Sequence, residues 1–173
     1  MSIENLPPAI HEIAVYTDEL EVKGEMRAWP PRRILDVLNT TQAPFLTVEQ
    51  ASVIPLSRWG KSQPSVVESI TLNKQEIIFV WPIREAEVEV SEFMTVHKIP
   101  HEMIAYAGPF IFQGTLHIIS EASLAEAWDL IREDFAALTK PSVLCLDIPE
   151  LTLKKGPVVA LNKHRTTAIH SRK

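Results

Sequence analysis

One cysteine, five glycines and no long apolar run set the first limits on this 173-residue chain. A single Cys145 rules out an internal disulfide. Its apolar surroundings, with no His or second Cys near it in sequence, read as a buried and inert thiol. So few glycines, no two close enough to cradle an anion, exclude a Gly-rich phosphate loop, and there is no Gly-x-Ser-x-Gly elbow. No stretch approaches the ~18 apolar residues of a membrane-spanning helix, and residues 1–8 lack the basic start and apolar run of an export signal. The expected location is the cytoplasm. Acid is missing from one region as well: none follows Glu150, where Lys154, Lys155, Lys163, Arg165, Arg172 and Lys173 lie. Residues 1–92, by contrast, hold fourteen Asp or Glu against eight Lys or Arg, a division hidden by the net charge of −5. A basic end attracts nucleic acid, an anionic surface or the acidic half of the same protein, and the last needs no outside partner.

What the chain does have is a globular composition, 46% hydrophobic and 23% charged. Its length buries a core as one domain or as two small halves sharing an interface. It also has an internal echo. Glu68–Trp81 returns in degraded form as Val158–His170. Each is an apolar strand carrying Leu72 or Leu161, then Asn73-Lys74 or Asn162-Lys163, two polar residues, and a second extended run ending in Val80 or Ile169. The offset there is 89 residues. Upstream, Val22–Met26 matches Phe112–Leu116 at an offset of 90, and Phe45–Val53 matches Val143–Leu151 at 98. The step from 90 to 98 falls in a helical interval and predicts a second helix about two turns longer than the first. The step from 98 to 89 falls at Ser57 to Val67, where Trp59, Gly60 and Pro64 predict a longer loop.

Taken in order, His11 to Arg27 alternates as strands around a turn at Asp18-Glu19. Pro31 suits the first turn of a helix running from Arg32 to about Asn39, with Ile34, Leu35, Val37 and Leu38 as its apolar side. Phe45 to Leu56 reads as a strand and Ser69 to Trp81 as a hairpin around Asn73-Lys74, Asn being expected there because it tolerates the positive φ of a tight turn. Residues 84–92 alternate acid and apolar side chains, as a charged edge strand or a linker would. Two strands are expected over Phe93–Ile104 and Ala105–Ile119. Ser123 and Glu126 have capping-box spacing, and Leu124, Trp128, Ile131, Phe135 and Leu138 form one apolar stripe, which predicts a helix over 121–139. A strand at 142–153, a turn at Lys155 to Pro157 and a terminal hairpin follow. The expected fold is α+β and β-rich: two pseudo-repeated small antiparallel barrel-like units, 11–83 and 93–171, each with one inserted helix, flanking the acidic segment 84–92.

Arg33–Asn39, followed by Phe45–Val48 and Ile70–Val80, resembles a family of short bacterial β-rich domains with no assigned function. Their pattern is a Leu-x-Asp-x-Leu-Asn helix, a Phe-Leu strand and an Asn-Lys/Arg-x-x-Ile hairpin. The likeness covers about residues 11–82; the second half keeps the hairpin, but Leu130–Asp134 departs from the helix motif. The expected shape is similar to Sm-like and SH3-like barrels. Those host RNA binding, peptide binding and plain oligomerisation alike, so the resemblance implies a frame and no activity.

His97, His101 and His117 invite a metal reading, because a His pair four apart grips one ion from a helix face. Pro100 before His101 argues against that helix, and in a strand the pair stands over ~12 Å apart. No metal and no cofactor is expected, and His164 and His170 read as surface residues. Asp36 and Asp147 are isolated carboxylates without a partner for acid–base work, so the chain is not expected to be an enzyme. Two basic-aromatic spots remain: Arg27, Trp29, Arg32 and Arg33 in one, Arg58, Trp59 and Lys61 in the other. Trp and Arg stack bases, hold phosphates or anchor a protein partner, and both spots fall in breaks between regular elements. The blander alternative is a Trp folded over its own barrel end with the Arg stems alongside. The leading expectation is a non-catalytic cytoplasmic interaction or assembly module that binds a protein partner or itself. RNA binding through the Trp-Arg loops and the basic end comes second, and a small-ligand site or enzyme third.

Overall fold

The computed structural model describes residues 6–57, 60–89, 97–119 and 121–173. Its elements are β1 (Ala9–Tyr16), β2 (Leu20–Ala28), α1 (Ile34–Leu38), β3 (Phe45–Ser57), β4 (Gly60–Lys61), β5 (Ser65–Asn73), a 3₁₀ turn (Lys74–Glu76) and β6 (Phe79–Arg84). Then come β7 (Ile99–Ala107), β8 (Phe110–Ile118), α2 (Leu124–Leu130), β9 (Phe135–Cys145), β10 (Thr152–Lys154), β11 (Val158–Asn162), a second 3₁₀ turn (Lys163–Arg165) and β12 (Ala168–Ser171).

The two barrel-like units expected from the sequence do not form. All twelve strands join one open antiparallel sheet in the order β12-β7-β8-β9-β11-β6-β1-β2-β3-β4, with β10 added to β9 and β5 to β3. Among the described residues strand makes up 56% and helix 11%, the latter being two short α-helices and two 3₁₀ turns. The reason lies at one joint. β6 pairs with β1 of its own half along one edge, and turns its other edge to β11 of the far half through Phe79↔Leu161 and Val80↔Ala160. The sheet therefore runs on from one half into the next instead of closing on itself.

The element order nonetheless recurs at a steady spacing of 90 residues: Ala9 and Ile99 open β1 and β7, Leu20 and Phe110 open β2 and β8, Ile34 and Leu124 open the helices, and Phe45 and Phe135 open β3 and β9. Even the irregularities recur. The β2–β3 ladder shifts register between Lys23 and Glu25, the β8–β9 ladder between Gln113 and Thr115. Facing each shift is a residue at positive φ, Gln50 at 48° and Lys140 at 50°. Glycine is required at the first bulge because a Cβ on Gly24 would stand 2.6 Å from the Glu49 carbonyl oxygen, and it is favoured at the second, where one on Gly114 would stand 3.0 Å from Leu138 Cβ.

This spacing corrects the sequence alignment of Phe45–Val53 with Val143–Leu151. Phe45 pairs with Asn73 and Phe135 with Asn162, so β3 corresponds to β9 from its first residue. The helix expected over 121–139 is α2 alone, closed by its capping box at Ser123 and Glu126 and ended at Ile131. Phe135 and Leu138 leave the presumed helical stripe for β9.

Two apolar clusters form around the shared strands. Ile13 and Val15 of β1 enter one, with Val22, Met26, Ile34, Leu38, Leu46 and Val48. Ala14 and Tyr16, pointing the other way by strand alternation, enter the second, with Phe79, Phe110, Phe112 and Leu138. Tyr16 stacks on Phe79 with ring centroids 4.4 Å apart, and Phe110 meets both rings edge-on. Such pairs add about 0.5–1.5 kcal/mol each beyond area burial.

Candidate functional site

The Asn-Lys pairs sit at the start of the two 3₁₀ turns. Asn73 has φ −70° and Asn162 φ −72°, so neither occupies the positive-φ hairpin position expected for it. Each Asn instead caps its turn: Asn73 Oδ1 accepts from the Gln75 amide and Asn162 Oδ1 from the His164 amide. Each Lys then reaches a helix end. Lys74 Nζ donates to the Val37 and Thr40 carbonyls at 2.7 and 3.2 Å, adding a donor to oxygens that the Thr40 and Ala43 amides reach at 3.3 Å. Lys163 Nζ donates to the Ile131 carbonyl after α2 and lies 5.7 Å from the centre of the Trp128 ring. These lysines fasten short helices to the sheet, and their ammonium groups are engaged.

Other buried polar groups are engaged in the same structural way. His11 is fully buried; the Ala86 amide donates to its Nδ1 at 3.1 Å, which leaves Nε2 to carry the proton toward the Arg32 carbonyl at 2.8 Å. Glu21 is also fully buried, and Lys61 Nζ holds both its oxygens at 2.9 and 3.2 Å while Lys23 stands at 3.4 Å. Burial pushes its pKa up, but the Lys61 hydrogen bond, Tyr16 and the lysine charges outweigh this and leave it below the ordinary value. Burial, with Glu21 beside it, raises Tyr16 far above the ordinary range. The Tyr16 hydroxyl, buried without a hydrogen-bond partner in range among the described residues, stays protonated, and the Glu21–Lys61 pair reads as an ion-pair anchor for β4. Sequence reasoning named Lys61 as a binding residue and missed Glu21. Glu21 falls second in β2, in the polar phase with Lys23, Glu25 and Arg27, so alternation gave no signal of its burial.

The remaining basic-aromatic residues are scattered. Arg27 pairs with Glu49 at 3.2 Å, Arg33 with Asp36 at 3.5 Å, and Arg32 donates to Thr40 Oγ1 at 3.1 Å. Trp29 is 54% exposed. Arg58 and Trp59 lie outside the described residues. His117 bonds Thr139 at 2.7 Å, and no group of three or more His, Cys, Asp or Glu among the described residues is placed to hold a metal ion. No helix among the described residues is long and apolar enough to cross a membrane.

What the structure leaves open is backbone and apolar surface. β5 pairs only with β3, and β12 only with β7, among the described residues. The Lys74 amide donates to the Pro44 carbonyl, so alternation along β5 aims the Thr71 and Asn73 amides away from β3. The Arg172 amide likewise donates to the Glu102 carbonyl, aiming the Ile169 and Ser171 amides away from β7. Val66 on β5 is 81% exposed. A groove of about 860 Å³ lies between the helices, walled by Leu35, Leu116, Ile119, Ala127, Leu130 and Phe135. Comparisons of the chain with protein-family models, with curated proteins and with solved structures return no match.

Proposed function

We propose that the chain is a non-catalytic assembly module that binds protein by adding strands to the two ends of its sheet. The observation that carries this reading is the pair of free edges, β5 and β12, each presenting amides directed outward and flanked by partly apolar side chains. An unpaired, exposed edge is a template for another strand. The engagement of Lys74, Lys163, Glu21 and His11 in structural bonds supports the same reading. A cytoplasmic location goes with it, the lone buried Cys145 suiting a reducing compartment. The likeness to short bacterial domains without assigned function adds a frame and no chemistry. Sedimentation velocity from micromolar to hundreds of micromolar tests it: mass rising with concentration is the expected result, and a strict monomer whose Thr71 and Ile169 amides exchange freely at every concentration rejects it.

Nucleic-acid binding is a second reading, motivated by the exposed Trp29. It predicts retardation of single-stranded RNA at low salt that Trp29→Ala removes. No retardation at low salt ends it.

A further inference from the structure

The joint inside the molecule shows how its ends are to be joined. β6 and β11 meet with Val80 opposite Ala160 and Phe79 opposite Leu161. The Asn162 amide donates to the Ile78 carbonyl at 2.9 Å, so alternation makes Val80–Ala160 a hydrogen-bonded pair. The two strands that correspond to these in the other half are β12 and β5, displaced by the 89 residues that separate Asn73 from Asn162. Carrying the joint across by that displacement puts Ile169 opposite Thr71 and Ala168 opposite Leu72. Ile169 and Thr71 are residues whose amides already face outward, so the transferred register meets the hydrogen-bonding phase of both free edges. It also sets Arg172 opposite Glu68, a cation facing an anion in a non-hydrogen-bonded pair, where side chains come closest. A third correspondence lies on the adjacent face. Tyr16, fully buried at the internal joint on Phe79, is matched 90 residues on by Tyr106, which stacks on His170 with centroids 5.8 Å apart and remains partly exposed.

We infer that the partner at these edges is a second copy of this chain, β12 of one copy adding to β5 of the next in the register Ile169↔Thr71, with Arg172 against Glu68. This rests on the assembly reading above and specifies its partner and joint. The contact is heterologous, joining two different surfaces, so each added copy presents the same two edges again and growth continues until rotation closes a ring. Ala168 and His170 stand where the internal joint has Phe79 and Trp81, so the intermolecular joint buries less apolar surface and forms reversibly.

The test uses the full chain and its charge reversals. Glu68→Arg or Arg172→Glu alone is expected to raise the concentration at which mass increases by roughly fivefold, and the two together to restore it. Ile169→Pro, which deletes an outward amide on an exposed edge, is expected to leave a folded monomer by circular dichroism. Glu68→Cys with Arg172→Cys, in a Cys145→Ser background, should give disulfide-linked multimers on a non-reducing gel. Oligomers that survive Ile169→Pro and ignore both charge reversals overturn this joint while leaving the assembly reading in place. A wild-type monomer whose cysteine pair closes within one chain overturns the joint as intermolecular. A monomer with no disulfide of either kind rejects both.

Discussion

The two Asn-Lys turns share one backbone conformation and one task, yet they do not sit in the same surroundings. Lys74 is 7% exposed and donates to two carbonyls, while its turn shares a cleft with Asp134, Phe135 and Asn162 of the other half. Lys163 is half-buried, donates to one carbonyl and covers a Trp ring. The caps differ in the opposite sense. Asn162 is 2% exposed and donates from Nδ2 to the Ile77 carbonyl at 2.8 Å, and more weakly to that of Lys74, while Asn73 makes its capping bond near solvent. A motif lying inside a joint becomes part of the joint. Here the joint draws its lysine from the first copy and its asparagine from the second, while Asn73 and Lys163 serve only their own halves.

The largest difference should appear on truncating the lysines. Lys74→Ala leaves the Val37 and Thr40 carbonyls only their 3.3 Å amide bonds and opens a buried gap, and about 3 kcal/mol of stability is expected to be lost in urea unfolding. Next, Asn162→Ala should cost about 2 kcal/mol against about 1 for Asn73→Ala, because only the former strands buried carbonyls of the opposite half. Lys163→Ala should cost less than about 1 kcal/mol, its partners being partly wet. Equal losses at Lys74 and Lys163 would erase the distinction between the turns.

The smallest effects are those of pH. Burial, reinforced by the Arg32 charge and opposed by Asp134, holds the Lys74 pKa below 10.5. The unfolded chain therefore binds more protons between the folded value and 10.5, so wild-type stability relative to Lys74→Met should rise with pH across that window. Glu21 gives the same sign in the acid range. Its folded pKa is lowered below 4.5, so its contribution is complete above 4.5 and is lost as pH falls through the folded value, and Glu21→Gln should remove that acid sensitivity.

The recurrence at Asn73-Lys74 and at Gly24 and Gly114 was legible because those residues answer local demands, a cap and a close backbone approach, which leave a trace in any copy. The length of α2 was not. Leu124, Trp128, Ile131, Phe135 and Leu138 fit a helical stripe, and only the pairing of Phe135 with Asn162, distant in sequence, makes it the first residue of a strand. Barrel closure failed for a similar reason: whether β6 returns to β5 or continues to β11 is decided by contacts between halves, and period-two alternation is identical in either case. Among the candidate binding residues, Arg27, Arg33 and Lys61 were chosen for their charge. Their partners Glu49, Asp36 and Glu21 lie across the sheet or one helical turn away, and spacing alone did not reveal which positive groups would be neutralised.

Strand β1 is common property of the two apolar clusters, odd-numbered Ile13 and Val15 facing one and even-numbered Ala14 and Tyr16 the other. Neither half owns a complete wall. Melting of one side must strip the other of its lining, so heat or denaturant should unravel the protein in one concerted transition, with the slowest-exchanging amides clustered along this strand.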